Sequence, residues 1–247
     1  LEGFVELVKR HGGSNTAIEA LVNPAPQMLA YVDYHVQSSG EGPLARRLEH
    51  SIKYAFPYSS RFQMWHNASK IWLPKRAFLA FVQDRVADIV SPHEVEAAKD
   101  SVTRIEFEGV LRARGKTQEE REAAALETLF GTPENLAAGA KAMGAISSEE
   151  YDEVEAGLGE VTVSYKKSDK TTNSEKVREF YLVEVAVFEG DKPQVLPARL
   201  RVKVENGALY LCLELLGLRT VIEKSFAAAC ERVASETTRP VYRCKLA

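Results

Sequence analysis

The stretch Met28–Ser59 reads MLAYVDYHV, then QSSGEGPLARR, then LEHSIKYAFPYS. Two β-like runs flank a loop rich in turn-forming residues, which is the signature of a long-looped hairpin. Strand alternation sends successive side chains to opposite faces. Met28, Ala30, Val32, Tyr34 and Val36 therefore share one face of the first run, and Tyr31, Asp33 and His35 share the other. In the second run Leu48, His50, Ile52, Tyr54 and Phe56 fall together, against Glu49, Ser51, Lys53 and Ala55. Aligning the apolar faces sets Tyr31, Asp33 and His35 beside Glu49, Ser51 and Lys53. The polar cluster Tyr31, Asp33, His35 and Lys53 has two readings. An Asp two residues from a His on a strand can orient an imidazole, contribute to a metal site, or bind an anion together with Lys53. The plainer reading is a solvated sheet face with small cross-strand salt links. His50 falls on the apolar face, which predicts a hydrogen-bonded core histidine.

Outward from the hairpin, the N-terminal side predicts a helix over Leu1–His11, stopped by Gly12-Gly13, and a short strand over Thr16–Val22. On the C-terminal side, Ser59–Asn67 reads as a short helix. Lys75–Val90 reads as a longer one, with Phe78, Leu79, Val82, Val86 and Ile89 as its apolar stripe. The middle changes character. Gln118–Phe130 is Ala- and Glu-rich, Pro133 fits the first position of another helix through Met143, and Ser147–Glu160 is acidic. This region is expected to be a helical acidic insert.

From Val161 the period becomes two. VTVSYKK, REFYLVEVAVF, VLPARLRVKV and ALYLCLELL predict four strands, and Asn206-Gly207 is a tight-hairpin signal between the last two. A helix over Thr220–Ser235 and a last short strand over Val241–Cys244 close the chain. The expected class is α+β: a largely antiparallel sheet built from the N- and C-terminal strand-rich segments, packed by helices. Its parts are a hairpin-and-helix segment at 1–92, the helical insert at 93–160, and a four-stranded meander plus helix at 161–247. The pattern also admits one continuous domain.

Composition narrows the function classes. The chain has 247 residues, 45% hydrophobic and 27% charged, with a formal net charge of -3. That is ordinary for a folded protein and gives no global attraction to nucleic acid, so any such binding must come from a local patch. Three widely spaced cysteines, Cys212, Cys230 and Cys244, argue against a disulfide framework and for a reducing cytoplasm. No apolar run reaches the roughly 18 residues of a membrane span, and no secretory signal is visible. The phosphate loop ending in Lys-Ser/Thr, GxGxxG after a strand, GxSxG, CxxC and HExxH are all missing. The pattern implies neither cofactor nor metal, assigns no catalytic residue and leans away from an enzyme.

The local patch is basic. Lys166, Lys167, Lys170, Lys176 and Arg178 surround the polar loop SDKTTNSE, and Arg199, Arg201 and Lys203 alternate with Leu200, Val202 and Val204. Three cations thus line one strand face. Such a stripe can follow a phosphate backbone, with Tyr165 or Tyr181 available to stack. It can also be a solvated edge that uses charge against edge pairing, and Glu179, Glu184, Glu205 and Glu214 are near enough in sequence to neutralise it. Arg46-Arg47 is a second candidate contact.

Short blocks along the chain resemble a known family. They are Val32-Asp33-Tyr34-His35, His50, Phe56-Pro57, Trp65, FLAFVQDRVADIVSP at Phe78–Pro92, Phe188-Glu189-Gly190, Ala198-Arg199-Leu200-Arg201 and Arg239-Pro240-Val241. In their order they resemble the YfdQ-like family of phage and prophage proteins of unknown function, over roughly Thr16–Pro92 and Phe180–Arg243. The resemblance implies a phage-derived soluble protein, often encoded among DNA recombination and replication genes. It carries no reaction and no catalytic residue.

Three functions follow as expectations. The first is a non-enzymatic accessory of phage DNA metabolism that binds single-stranded DNA or a DNA-processing partner, with homo-oligomers left open. The second is an interaction module that inhibits or redirects a host factor through the acidic insert. The third is a metal-dependent hydrolase or nuclease built on Asp33, His35 and Glu49, ranked last because its ligands converge too little.

Overall fold

The computed structural model describes residues 1–23, 25–32, 34, 50–92, 130–145, 151–156, 160–166, 172–206 and 208–244. They divide into two compact units, each assembled from separated parts of the chain. The first comprises Leu1–Ser60, Ala186–Asp191 and Arg219–Ala247, and the second Arg61–Val185 and Lys192–Leu218. The fold is α+β.

The first unit holds α1 (Glu2–His11), β1 (Ala17–Leu21), β2 (Gln27–Tyr31), β3 (Ser51–Ala55) and β12 (Val241–Cys244), with α5 (Leu218–Thr237) entering it at Arg219. Its sheet runs in the order β12-β1-β2-β3. β1, β2 and β3 are antiparallel neighbours, whereas β12 lies parallel to β1, pairing Ile18 with Val241. A parallel neighbour demands a long crossover, which here is nearly the whole chain. The predicted alternation holds in β2, where Met28 and Ala30 are fully buried. Phe4, Val5 and Val8 of α1 and Phe226, Cys230 and Val233 of α5 complete the apolar core. At its centre Phe56 packs edge-on against Tyr54 at 4.8 Å and Phe226 at 5.1 Å, and tilted against Phe188 at 5.1 Å. Glu189-Gly190-Asp191 forms the expected turn, with Gly190 at φ 81° and the Asp191 amide donating to the Phe188 carbonyl at 3.1 Å.

His50 is a correction. It is exposed rather than a core histidine. β3 begins one residue later, at Ser51, and its inward-facing positions start with Ile52. The alternation was in phase but reached too far.

The second unit holds α2 (Ser60–Ala68, entering it at Arg61), β4 (Leu73–Pro74), α3 (Lys75–Arg85), β5 (Ile89–Val90), α4 (Pro133–Ala145), β6 (Tyr151–Ala156), β7 (Glu160–Lys166), β8 (Thr172–Arg178), β9 (Phe180–Ala186), β10 (Pro193–Glu205) and β11 (Ala208–Leu215). Five strands form one sheet in the order β4-β11-β10-β9-β5, and three form another, β6-β7-β8. α3 packs against α4 and β11, and α4 against β8. The expected Asn206-Gly207 hairpin is realised: Glu205 pairs with Ala208 across it, and Asn206 has φ 53°.

Three expectations change here. The helix read over Lys75–Val90 ends at Arg85, because Ile89 and Val90 pair with Val183 and Leu182 as a strand. Asp88, 6% exposed, sits at the change of direction, accepting a hydrogen bond from Trp65 Nε1 at 2.9 Å and facing Arg61 Nη1 at 3.1 Å. Tertiary pairing has overridden helical period. The acidic run, read as helical, contains strand β6, which pairs with β7 from Val154 opposite Val163 to Ala156 opposite Val161. The four-stranded meander is five strands divided between two sheets. The break falls at Glu179, inside the run read as one strand. The run Gln118–Leu129 and the rest of 93–129 lie outside the described residues. At Gly131 the backbone passes so close to β9 that a Cβ would sit 2.5 Å from Tyr181 Cε1 and 2.8 Å from Arg178 Cβ, so only glycine fits.

Candidate nucleic-acid interface

β10 alternates as the sequence predicted: Ala198 and Leu200 are buried, and Arg199, Arg201 and Lys203 project from the opposite face. Antiparallel register then dictates what accompanies them. Arg199 faces Glu214, Arg201 faces Cys212, and Lys203 faces Tyr210. β4 extends the same sheet beyond β11, and Trp72, which precedes it, brings an indole against the Lys203 ammonium, 5.0 Å from the ring centroid. The Tyr210 centroid is 5.4 Å from that same ammonium. Two cation–π contacts therefore bracket one lysine. Beside them lies a groove of about 330 Å³ lined by Trp72, Val161, Glu179, Arg199, Leu200, Arg201 and Val202.

The cations of this face are paired, and the pairs are not equivalent. Arg199 turns away from Glu214 to clasp Glu179, with Nε and Nη2 at 2.7 and 2.6 Å from Oε1. The Glu179 side chain is 6% exposed. A carboxylate so buried depends on its counterion, since an uncompensated charge in the interior costs several kcal/mol. Arg199 is thus a structural partner. Arg201 takes Glu214 on the diagonal at 2.8 Å, but its own side chain is 48% exposed, and Lys70 also reaches Glu214 at 3.6 Å. Lys203 meets Glu205 at 2.6 Å near the hairpin tip. The exposed Lys203–Glu205 pair is worth about 1 kcal/mol or less; Glu214 is only 15% exposed, and it is the second cation, Lys70, that lets Arg201 leave it without stranding a charge.

Of the other basic residues singled out by the sequence, Arg178 and Lys176 belong to β8 in the three-stranded sheet. Both face Glu160, at 3.1 and 3.9 Å. Lys166 ends β7 opposite Thr172. Lys167, Lys170, Arg46 and Arg47 lie outside the described residues. The loop SDKTTNSE is shorter than predicted, because Thr172 already begins β8. Of the proposed stacking residues, Tyr181 is instead fully buried, and its hydroxyl has no hydrogen-bond partner among the described residues; burial pushes its pKa up.

The hairpin cluster belongs to the other unit. Tyr31 pairs with Ser51 and Leu29 with Lys53, so Tyr31 and Lys53 share a face as expected. Tyr31 is half-buried, with its ring 6.1 Å from that of Tyr34; burial, then Glu19, raises its pKa. Asp33, His35 and Glu49 lie outside the described residues. Among the described residues no three His, Cys, Asp or Glu side chains gather as metal ligands, and no helix is long and apolar enough to cross a membrane.

Trp72, Tyr210 and Lys70 were missed by the sequence reading. Tyr210 was within reach: counting outward from the Asn206-Gly207 turn pairs it with Lys203. Trp72 was not, because nothing local announces that SKIWLPK returns to the edge of β11.

No curated protein and no solved structure shows a significant match to the chain. A family model described as an uncharacterized conserved protein (DUF2303) matches residues 1–245. The chain belongs to that family.

Proposed function

We propose that this protein is a phage-derived, non-enzymatic accessory of DNA metabolism that binds single-stranded DNA through the cationic and aromatic face of β10, β11 and the Trp72 segment. The observation that carries the reading is the grouping of Arg201, Lys203, Trp72 and Tyr210 on one sheet face beside a groove. Single-strand binders combine cations that track the backbone with aromatic rings on which bases stack. The phage assignment and the link to recombination or replication rest on the resemblance described above. The net charge of -3 supports local, groove-confined contact over wide electrostatic adhesion.

The test is a mobility shift with a labelled oligothymidylate at about 50 mM salt, where phosphate contacts dominate affinity. The wild type is expected to retard the oligonucleotide. The double variant Arg201→Glu/Lys203→Glu is expected to leave it free while keeping its circular dichroism spectrum. Absence of a shift for the wild type overturns the reading.

A further inference from the structure

Trp72 and Lys203 are in an unusual relation for a binding face. The ring best suited to stack on a ligand is half-buried, with an ammonium held 5.0 Å from its centre. That ammonium is held in turn by Tyr210 at 5.4 Å and by Glu205 at 2.6 Å. Next to it, Glu214 occupies Arg201 and Lys70, and Glu179 occupies Arg199. Four cations thus stand against three carboxylates, leaving the face nearly neutral. A small anion gains little here, since it must displace a carboxylate for a replacement of equal charge. A flat aromatic ligand without charge gains little too, since Lys203 competes for the ring.

We propose that this groove is a subsite for one nucleotide unit of a single strand, with Trp72 as its stacking element and Lys203 as a movable cover. The base takes the indole face, Lys203 swings from the ring to the adjoining phosphate, and Arg201 trades Glu214 for the same backbone. Glu214 keeps Lys70 as its counterion when Arg201 leaves, so the exchange strands no charge. Arg199 stays with buried Glu179 and takes no part. The groove's size falls at the lower end of the range for small-molecule sites, roughly 300 Å³ and upward. The inference rests on the single-strand reading above and specifies which part of the strand is recognised: base and phosphate together.

Intrinsic fluorescence tests it directly. The chain has two tryptophans. Trp65 is 1% exposed and bonded to Asp88, so only Trp72 is placed to sense a stacking base. Wild-type protein is titrated with oligothymidylate and with an abasic oligonucleotide of equal length. Thymidylate is expected to bind more tightly and to quench the emission, and the abasic strand to bind weakly without quenching. Trp72→Ala should weaken thymidylate binding by roughly five- to a hundredfold, as loss of one stacked base predicts, and narrow the difference in affinity between the two strands; Trp72→Phe should keep most of the affinity. Equal binding of the two strands by the wild type, with no quenching, overturns the inference and leaves the single-strand reading intact. Failure of the wild type to bind either strand overturns both.

Discussion

The β2–β3 ladder and the β10–β11 ladder are built alike and loaded differently. Both are antiparallel pairs with one face turned inward, the alternation of burial being broken at Cys212 of β11. On the other face of the first, Leu29, Tyr31, Ser51, Lys53 and Ala55 offer one described cation and one ring. On the other face of the second, Arg199, Arg201, Lys203, Tyr210 and Glu214 alternate, and Trp72 adds an indole at the side. Alternation tells which side chains share a face; it does not tell whether a third segment brings the group that turns the face into a site. In the second ladder that segment is Lys70–Pro74.

The sharpest way to break the comparison is to attack what lies under the first ladder. Phe56 is 6% exposed and touches three other rings. Phe56→Ala is expected to cost about 3–5 kcal/mol, as truncation of a core aromatic does, and to leave DNA binding by the surviving folded fraction unchanged. Denaturant unfolding checks the first part and a binding titration the second.

Within the second ladder, two arginines two residues apart should behave oppositely. Arg199→Ala leaves Glu179 buried without its counterion and is expected to cost about 3 kcal/mol. Arg201→Ala leaves Glu214 with Lys70 and should cost about 1 kcal/mol or less. Chemical denaturation of both variants decides it. Equal losses would mean that the two pairs are energetically alike and that Arg199 is as available to a ligand as Arg201.

The last effect concerns the first unit's core and shows only at high pH. Burial pushes the Cys230 thiol up to about 11. A folded pKa raised above the unfolded one, about 8.5 for a free thiol, favours the neutral thiol in the fold. Its stabilisation is full below the unfolded value and is lost as pH rises through the folded one. Between roughly pH 8.5 and 11 the wild type should therefore lose more thermal stability than Cys230→Ala, as melting curves across that range would record.

Much of the fold was legible because it is local. The Asn206-Gly207 turn fixes the β10–β11 register, Met28 and Ala30 announce the inward face of β2, and Pro133 starts α4. What escaped the sequence depends on distant partners. YDEVEA at Tyr151–Ala156 has too little apolar periodicity to declare a strand, and becomes one by pairing with β7. Ile89 and Val90 continue a helical stripe until β9 supplies a ladder. Of the four acids near the basic stripe in sequence, Glu179, Glu205 and Glu214 pair with its cations. Their ranking from buried to exposed, which decides which cation is free to exchange, comes only from three-dimensional packing.

The most direct test of the central claim is a fluorescence anisotropy titration of labelled oligothymidylate across a salt series, with wild type, Arg201→Ala and Lys203→Ala. The account predicts wild-type affinity that falls linearly with salt on logarithmic axes, by about 0.7 per phosphate contact, and a shallower slope, by about one contact, in each variant. Absence of binding by the wild type, or identical affinities and slopes for all three proteins, would contradict it.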